Sequence, residues 1–213
     1  MNSIKTFDDS NFIFFCDELA KYDTDLKLII DTHGYPPLWK RKPIFETLIH
    51  IILEQQVSLA SAKAALDKLN QKIGTITPQK VLSLTDAELK ACYFSRQKIV
   101  YARHLAEALL FKQLNLKKLA AAPDEKVREE LKKIKGIGDW TADVYLMMVL
   151  QQTDLFPTGD VALMKSIKAV KQLPVHTGKE EIVLLGKSWR PYRTIAAYIL
   201  WHAYLSKRKK KLV

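Results

Sequence analysis

Cysteine, glycine and long apolar runs are scarce in this sequence, and each shortage narrows the class of protein. The two cysteines, Cys16 and Cys92, are too few for a four-cysteine iron–sulfur cluster and too far apart to suggest a disulfide framework. The five histidines show no metal-ligand spacing among themselves or with the cysteines, so a zinc site is not expected. No apolar run reaches the roughly 20 residues that cross a bilayer, and the N-terminus lacks the pattern of a signal peptide. We therefore expect a protein of the cytoplasm, associated with the nucleoid, or of the nucleus.

Positive charge, in contrast, is abundant. The 213 residues include 34 lysines and arginines against 23 acidic residues, which gives a formal net charge of +11. A surplus of this size attracts polyanions, with nucleic acid as the first expectation and an anionic membrane surface as the second. Charge alone leaves a third interpretation open, a globular protein with many surface lysines.

The apolar residues repeat at intervals of three and four, which is the period of a helix. Helix start signals are Pro43, Pro78 and Pro123, the Thr85 and Glu88 pair with capping-box spacing, and the N-cap candidates Ser58 and Ser95. Helix stop signals are Gly34 and Gly74. With only seven glycines, no alternation of period two and no hairpin dipeptide, the sequence predicts an all-α protein of about ten short helices.

Residues 131–150 read LKKIKGIGDWTADVYLMMVL, two helical patterns joined by a tight turn at Gly136 and Gly138. Glycine permits backbone conformations that a side chain forbids, and it lets the turn approach another molecule closely. The first amides of the second helix can bind a phosphate, because its N-terminus carries oriented N–H groups and a positive dipole end. The alternative is an ordinary corner between two helices, where glycines are common.

Asp160 ends the segment LFPTGD at residues 155–160 and stands at the start of the next helical pattern. Taken alone, it is best interpreted as an N-cap carboxylate. The combination of the glycine hairpin with this loop changes that interpretation, because together they resemble the helix–hairpin–helix DNA glycosylase superfamily, and more closely its AlkA-like 3-methyladenine branch.

Three further segments carry the same resemblance, which covers roughly residues 40–205. They are ILEQQVS within residues 45–66, the FSRQK turn at residues 94–98, and WRPYR at residues 189–193 with the helix that follows to Trp201. Together these motifs are specific, although each alone is only suggestive.

The resemblance implies a monofunctional glycosylase that excises alkylated bases from duplex DNA in base excision repair. Asp160 would be the catalytic carboxylate, stabilising the positive charge that develops on the sugar of a flipped-out nucleotide. Bifunctional members of the superfamily have a lysine where this chain has Trp140. The absence of that amine predicts hydrolysis without strand cleavage, and the missing cysteine cluster argues against the endonuclease III and MutY-like branches.

The resemblance also implies site residues. The base-pocket candidates are Trp140 and Trp201, then Tyr145, Tyr198 and Trp39. The DNA-binding candidates are Gly136, Gly138, Asp139, Thr141, Gln55, Gln56, Ser95, Arg96 and Lys98. Gln56 would be the wedge that fills the gap left by the flipped base, and Gln55 has an interhelical hydrogen bond as its alternative role. Val144 and Val161 stand at positions where members of the branch can have an aromatic residue.

The expected architecture is one glycosylase unit of two helical lobes, with the DNA-binding cleft between them. One lobe would span residues 44–156, and the other would combine residues 1–43 with residues 157–213. No cofactor is required, although the backbone carbonyls of Lys132, Ile134 and Ile137 could hold a structural Na⁺ or K⁺. The partner would be double-stranded DNA containing damaged bases, bound by a monomer, with no membrane partner.

Two other functions stay open at this point. A noncatalytic helix–hairpin–helix DNA-binding protein would explain the charge and the glycine hairpin, but it gives Asp160 and the tryptophans no task. A bifunctional glycosylase and lyase would need another amine, such as that of Lys165.

Overall fold

The computed structural model describes residues 5–210, with side chains through residue 208. The helices are α1 (Phe12–Tyr22), α2 (Thr24–His33), α3 (Phe45–Glu54), α4 (Leu59–Ile73), α5 (Pro78–Ser83), α6 (Asp86–Ala91), α7 (Arg96–Leu110), α8 (Leu116–Leu119), α9 (Asp124–Lys132), α10 (Asp139–Met148), α11 (Val161–Val170), α12 (Lys179–Leu185), a 3₁₀ turn (Gly186–Trp189) and α13 (Arg193–Lys210). The predicted all-α class is confirmed. The described part contains more helices than the ten expected, because several have only four to seven residues and are too short to show a periodic pattern.

The chain divides into two compact units. One consists of Met1–Lys40 together with Leu150–Val213, and the other of Arg41–Val149. The sequence had predicted the corresponding boundaries at 44 and 156. That the two units act as lobes with a DNA-binding cleft between them stays a prediction.

The central helix of the Met1–Lys40 and Leu150–Val213 unit is α13, against which α1, α2 and α11 pack. It is apolar on all sides over residues 195–200, which are completely buried. A helix buried all round loses the amphipathic stripe of a surface helix, and its position at the centre of the unit explains that pattern.

In the Arg41–Val149 unit the corresponding position belongs to α3, which packs against α4, α7 and α10. Residues 47–54 of α3 are buried except His50, which is half-buried. Helix α10 is nearly as enclosed, with residues 141–147 buried. These two helices place the segments that follow α3 and precede α10 on a rigid support.

Several local signals act as predicted. Ser58 and Ser95 cap α4 and α7, and Thr85 and Glu88 form a reciprocal capping box. Gly34 and Gly74 end α2 and α4 with positive φ angles of 77° and 64°. Among the prolines, Pro78 opens α5, whereas Pro123 is the residue before α9 and Pro43 lies two residues before α3. Within residues 5–210, no helix has the length and apolar character needed to cross a membrane.

Candidate functional site

The glycine hairpin joins α9 to α10 through a turn that only glycine can form at residue 136. Gly136 has φ of 93°, and a Cβ atom there would lie 2.1 Å from Cγ of the Tyr101 ring. The backbone of Gly136 therefore lies directly against the face of the Tyr101 ring, and a side chain at residue 136 would force the two apart.

Gly138 is the N-cap of α10, is exposed, and supplies no side-chain cap. Glycine at the N-cap contributes no side-chain oxygen to the amides of the first turn, and a helix N-terminus can bind a phosphate through such amides. Asp139 adds a carboxylate in this turn, and Lys132 forms an ion pair with it at 2.6 Å. Lys132 thus compensates the negative charge of Asp139 beside the amides.

Gln55 connects this hairpin to the junction after α3. Its Nε2 donates to the Gly136 carbonyl at 2.8 Å and to Thr141 Oγ1 at 3.0 Å. Thr141 is only 2% exposed. The structure therefore favours the interhelical role for Gln55, and it favours a supporting role for Thr141 over the predicted contact with DNA.

Gln56, the next residue, has a different environment. It is exposed and has a left-handed backbone with φ of 57°, which is uncommon for a residue other than glycine. The tight junction between α3 and α4 thus turns one glutamine inward onto the hairpin and leaves the other exposed.

The three residues predicted to contact phosphate at the start of α7 also differ in their environments. Ser95 Oγ accepts from the Lys98 amide at 3.2 Å and caps the helix. Lys98 Nζ donates to the Leu53 carbonyl at 2.6 Å, and burial lowers the pKa of this lysine. Lys98 therefore closes the C-terminal end of α3. Arg96 is exposed in the first turn of α7 and is the best placed of the three to meet a phosphate.

The aromatic candidates on α10 differ in exposure. Trp140 is half-buried in the first turn. Tyr145 is completely buried, its hydroxyl has no hydrogen-bond partner among the described residues, and burial raises its pKa to about 12. Val144, beside it, is buried as well. This placement favours a packing role for Tyr145 and leaves Trp140 as the pocket candidate of this helix.

Asp160 is the N-cap of α11 and is half-buried. Its Oδ1 accepts from the Leu163 amide at 2.7 Å and from the Trp201 indole N–H at 3.1 Å. The first contact is the N-cap bond that the sequence predicted as the ordinary role of an aspartate here. The second joins the catalytic candidate to the aromatic candidate 41 residues away in the chain.

The loop that carries Asp160 is anchored to the start of α13. Arg193 Nε and Nη2 donate to the two carboxylate oxygens of Asp154 at 2.6 and 2.9 Å. Thr194 accepts from the Leu155 amide at 2.9 Å. A bidentate arginine–carboxylate pair fixes orientation as well as distance. The sequence contained WRPYR but gave no partner for Arg193, so this anchor was missed.

Trp201 forms an aromatic cluster with two other residues, Trp39 and Tyr198. Trp39 lies 6.2 Å from Trp201 and 5.2 Å from Tyr198, and Tyr198 lies 5.8 Å from Trp201, all between ring centroids. Tyr198 is completely buried, and its hydroxyl donates to the Trp39 carbonyl at 3.0 Å. Tyr198 therefore supports the cluster, whereas Trp39 is half-buried and Trp201 is 8% exposed.

The predicted residues thus assemble in two groups, each within its own unit. Asp160, Trp201, Trp39 and Tyr198 form one group, and the hairpin with Gln55 forms the other. Lys165, the alternative nucleophile, is exposed on α11 and lines a groove of about 260 Å³ with Tyr204 and Arg208.

No group of three or more histidine, cysteine, aspartate or glutamate side chains suited to a metal ion occurs within residues 5–210. The predicted Na⁺ or K⁺ site at the hairpin is of a different kind, because backbone carbonyls rather than side chains would form that site. The Ile134 carbonyl accepts from the Ile137 amide at 3.0 Å, and a carbonyl oxygen has a second lone pair for a cation.

Comparison with known proteins gives consistent matches over most of the chain. The model of the HhH-GPD superfamily of base excision DNA repair proteins matches residues 49–191. The putative DNA-3-methyladenine glycosylase YfjP of Bacillus subtilis is 29% identical over 84% of this chain and 66% of its own length. The alkylbase DNA glycosidase-like protein mag2 of Schizosaccharomyces pombe is 32% identical over 74% of this chain and 76% of its own.

A solved structure matches as well. The 3-methyladenine DNA glycosylase Mag1 of Schizosaccharomyces pombe, in complex with abasic DNA, has a TM-score of 0.80 and 25% identity. The match covers 88% of this chain and 95% of that protein.

Proposed function

Because the chain belongs to the HhH-GPD superfamily of base excision DNA repair proteins, we propose that it is a monofunctional DNA glycosylase that hydrolyses the N-glycosidic bond of alkylated, 3-methyladenine-like bases in duplex DNA. The single observation that carries this proposal is the carboxylate of Asp160, held at a helix N-terminus by the indole of Trp201.

Binding would begin at the phosphate backbone. The N-terminus of α10, whose N-cap is Gly138, would present N–H groups to a phosphate, and Arg96 would add a charged contact. A stacked base cannot be attacked, so the damaged nucleotide must leave the helix. Gln56 would fill the vacated space, and its exposed position at a tight junction suits that task.

The chemical step needs a fixed negative charge. As the bond between the base and C1′ breaks, positive charge develops on the sugar, and an ionised carboxylate stabilises it. Two N–H donors hold Asp160 Oδ1, so the carboxylate needs little reorganisation when the charge appears. The base departs with the electron pair of the broken C1′–N bond, so an alkylated cationic base leaves as a neutral molecule. The oxygen of a water molecule then bonds to C1′ and passes one proton to the Asp160 carboxylate, which leaves an abasic site with a C1′ hydroxyl.

The pocket would select cationic bases. Alkylation at a ring nitrogen gives the base a positive charge, which is attracted to the face of an aromatic ring. Trp201 donates to Asp160 and lies against Trp39, and Trp140 is the candidate from α10. The same alkylation makes the base a better leaving group, so modest assistance is enough.

Further parts of the proposal follow from the same residues. The protein would act on double-stranded DNA as a monomer, in the cytoplasm or nucleus, and without a cofactor. A Na⁺ or K⁺ ion would stabilise the hairpin through the carbonyls of Lys132, Ile134 and Ile137, whose hard oxygen atoms suit such cations.

The test is incubation of the protein with a panel of duplexes, each containing one defined lesion, followed by alkali. We expect strand breaks at 3-methyladenine or 7-methylguanine only after alkali treatment, because a monofunctional enzyme leaves the strand intact. Borohydride should trap no covalent adduct, since residue 140 is not an amine. Cleavage before alkali together with a trapped adduct at Lys165 would support the bifunctional alternative, and DNA binding without any excision would support the noncatalytic one.

A further inference from the structure

Tyr93 has a backbone conformation that normally belongs to glycine. It follows α6 with φ of 65°. The Phe94 amide donates to the Leu89 carbonyl at 3.2 Å, and the Tyr93 amide donates to the Lys90 carbonyl at 3.0 Å. These two bonds form a Schellman helix end, in which the left-handed residue is usually glycine. A bulky residue in this region is strained, and such strain often accompanies function.

The fold gains little from the Tyr93 ring. The side chain is 64% exposed, whereas its neighbours Cys92 and Phe94 are each 2% exposed. The turn therefore needs the backbone conformation of residue 93 but not its ring.

The ring borders a groove of about 250 Å³ next to the α3–α4 junction. Its other walls include Leu53, Val57, Ala64, Ala65 and Lys98. Val57 is 46% exposed and directly follows Gln56, so the groove opens beside the residue proposed as the wedge. Gln56 and Tyr93 both have left-handed backbones; Tyr93 lines the groove, and Gln56 immediately precedes Val57, which lines it too.

The chemistry of the groove fits a planar heterocycle. The apolar walls do not suit a phosphate, and the Lys98 ammonium does not suit an alkyl chain. A nucleobase offers a face for the Tyr93 ring and acceptor atoms for the donors that Lys98 has besides the one bound to Leu53. Once a damaged base has left the helix, its former partner is the base that lacks a pairing and stacking environment near the wedge.

We propose that Tyr93 and this groove hold the base opposite the lesion, in the undamaged strand, with the ring of Tyr93 stacked on it. This inference rests on the proposed function, since it requires a flipped nucleotide. It adds a second contact to the distorted duplex, on the strand without the lesion.

The experiment measures binding to a duplex with a tetrahydrofuran abasic analogue opposite 2-aminopurine, whose fluorescence reports stacking. The variants are Tyr93→Gly, Tyr93→Phe and, as the matched control, Phe111→Ala. Phe111 is another exposed aromatic residue, 71% exposed at the far end of α7. We expect Tyr93→Gly to weaken binding roughly tenfold and to abolish the quenching caused by the wild type. Tyr93→Phe and Phe111→Ala should behave as the wild type does.

Thermal unfolding separates this effect from a loss of structure. Glycine is better suited to φ of 65° than tyrosine, so Tyr93→Gly should have a Tm equal to or above that of the wild type. Reduced DNA binding in a variant of undiminished stability would support the proposal, because a packing role would lower both.

Three outcomes would overturn the inference: unchanged binding and quenching by Tyr93→Gly, quenching only when 2-aminopurine is beside the lesion in the damaged strand, or no binding of the duplex by the wild type. The abasic analogue cannot be cleaved, so this test does not depend on excision. A wild type that quenches through Tyr93 but excises no alkylated base would refute the proposed function and leave the groove assignment standing.

Discussion

Each end of α11 lies at an aspartate that accepts a hydrogen bond from a tryptophan indole, but the surroundings of the two carboxylates differ. At its start, Asp160 accepts from Trp201 Nε1 at 3.1 Å. At its end, Lys171 binds Asp23, which accepts from Trp189 Nε1 at 2.7 Å. Each aspartate is also a helix N-cap, Asp160 for α11 and Asp23 for α2.

The surroundings of the two carboxylates differ. Asp23 is 9% exposed, and both its oxygens lie within 2.8 Å of Lys171 Nζ. Burial alone would raise the pKa of Asp23, but the hydrogen bonds from Lys171, Trp189 and the Leu26 amide outweigh it and lower that pKa. Asp160 is half-buried and lies beside the aromatic cluster of Trp201 and Trp39. A capping aspartate with an indole donor therefore serves the fold when it is enclosed with a cation, and it is available for chemistry when it remains accessible.

The largest expected difference between the two ends concerns excision. Asp160→Asn should lower the rate of excision of alkylated bases by roughly 10²- to 10³-fold, the usual effect of removing one preorganised electrostatic contact to a transition state. Asparagine is also a good N-cap, so the Tm and the affinity for an abasic duplex should change little. Single-turnover excision of 7-methylguanine is the measurement, and a normal rate would remove Asp160 from the mechanism.

The converse substitution tests the other end. Asp23→Asn removes the more buried of the two carboxylates that neutralise Lys171, the other being Asp25 at 2.8 Å. Because Asp25 remains, we expect the lower end of the cost of breaking a buried ion pair, about 3 kcal/mol of unfolding free energy, or roughly 6 to 12 °C in Tm. Excision per folded molecule should stay close to that of the wild type. Urea unfolding followed by single-turnover kinetics measures both quantities. If excision falls as much as in Asp160→Asn, the two ends do not have separate roles.

A smaller effect is expected from the indole donors. Trp189→Phe removes a completely buried charged hydrogen bond and should cost about 2 kcal/mol of stability, with little effect on excision. Trp201→Phe should instead reduce excision roughly tenfold, the size of one charge-assisted hydrogen bond, and lower the Tm less than Trp189→Phe does. The same pair of assays applies, and equal effects of the two variants on both would contradict the comparison.

The smallest effect is a dependence on pH. The folded pKa of Asp23 is lowered, so its stabilising contribution is present above the unfolded pKa of about 3.9 and is lost as the pH falls toward the folded value. The Tm difference between the wild type and Asp23→Asn should therefore be constant near neutral pH and shrink below about pH 4. Calorimetry over this range measures it, and a difference that grows on acidification would have the wrong sign.

Local features could be predicted from the sequence because each depends on a few neighbouring residues. The caps at Ser58, Ser95 and Thr85 and the stops at Gly34 and Gly74 are of this kind. The shortest helices were not predicted, since four to seven residues show no clear period and are held by tertiary packing.

The candidate site was predicted as a set of residues but not as a set of contacts. The motif identified Gln55 and Thr141, yet only the structure shows them hydrogen-bonded to each other. The exposure of Tyr93 and the anchoring of Asp154 by Arg193 had no sequence signal, because they depend on residues that are far apart or on backbone angles.

The sequence by itself determined the helical class, the glycine turn and the presence of a capping carboxylate at residue 160, because helical period, backbone freedom and capping are properties of adjacent residues. Only the tertiary structure decided which of two similar aspartates is enclosed with a lysine and which lies beside the tryptophans. That choice depends on which side chains from distant segments reach each carboxylate, and burial and charge pairing arise only when the chain has folded.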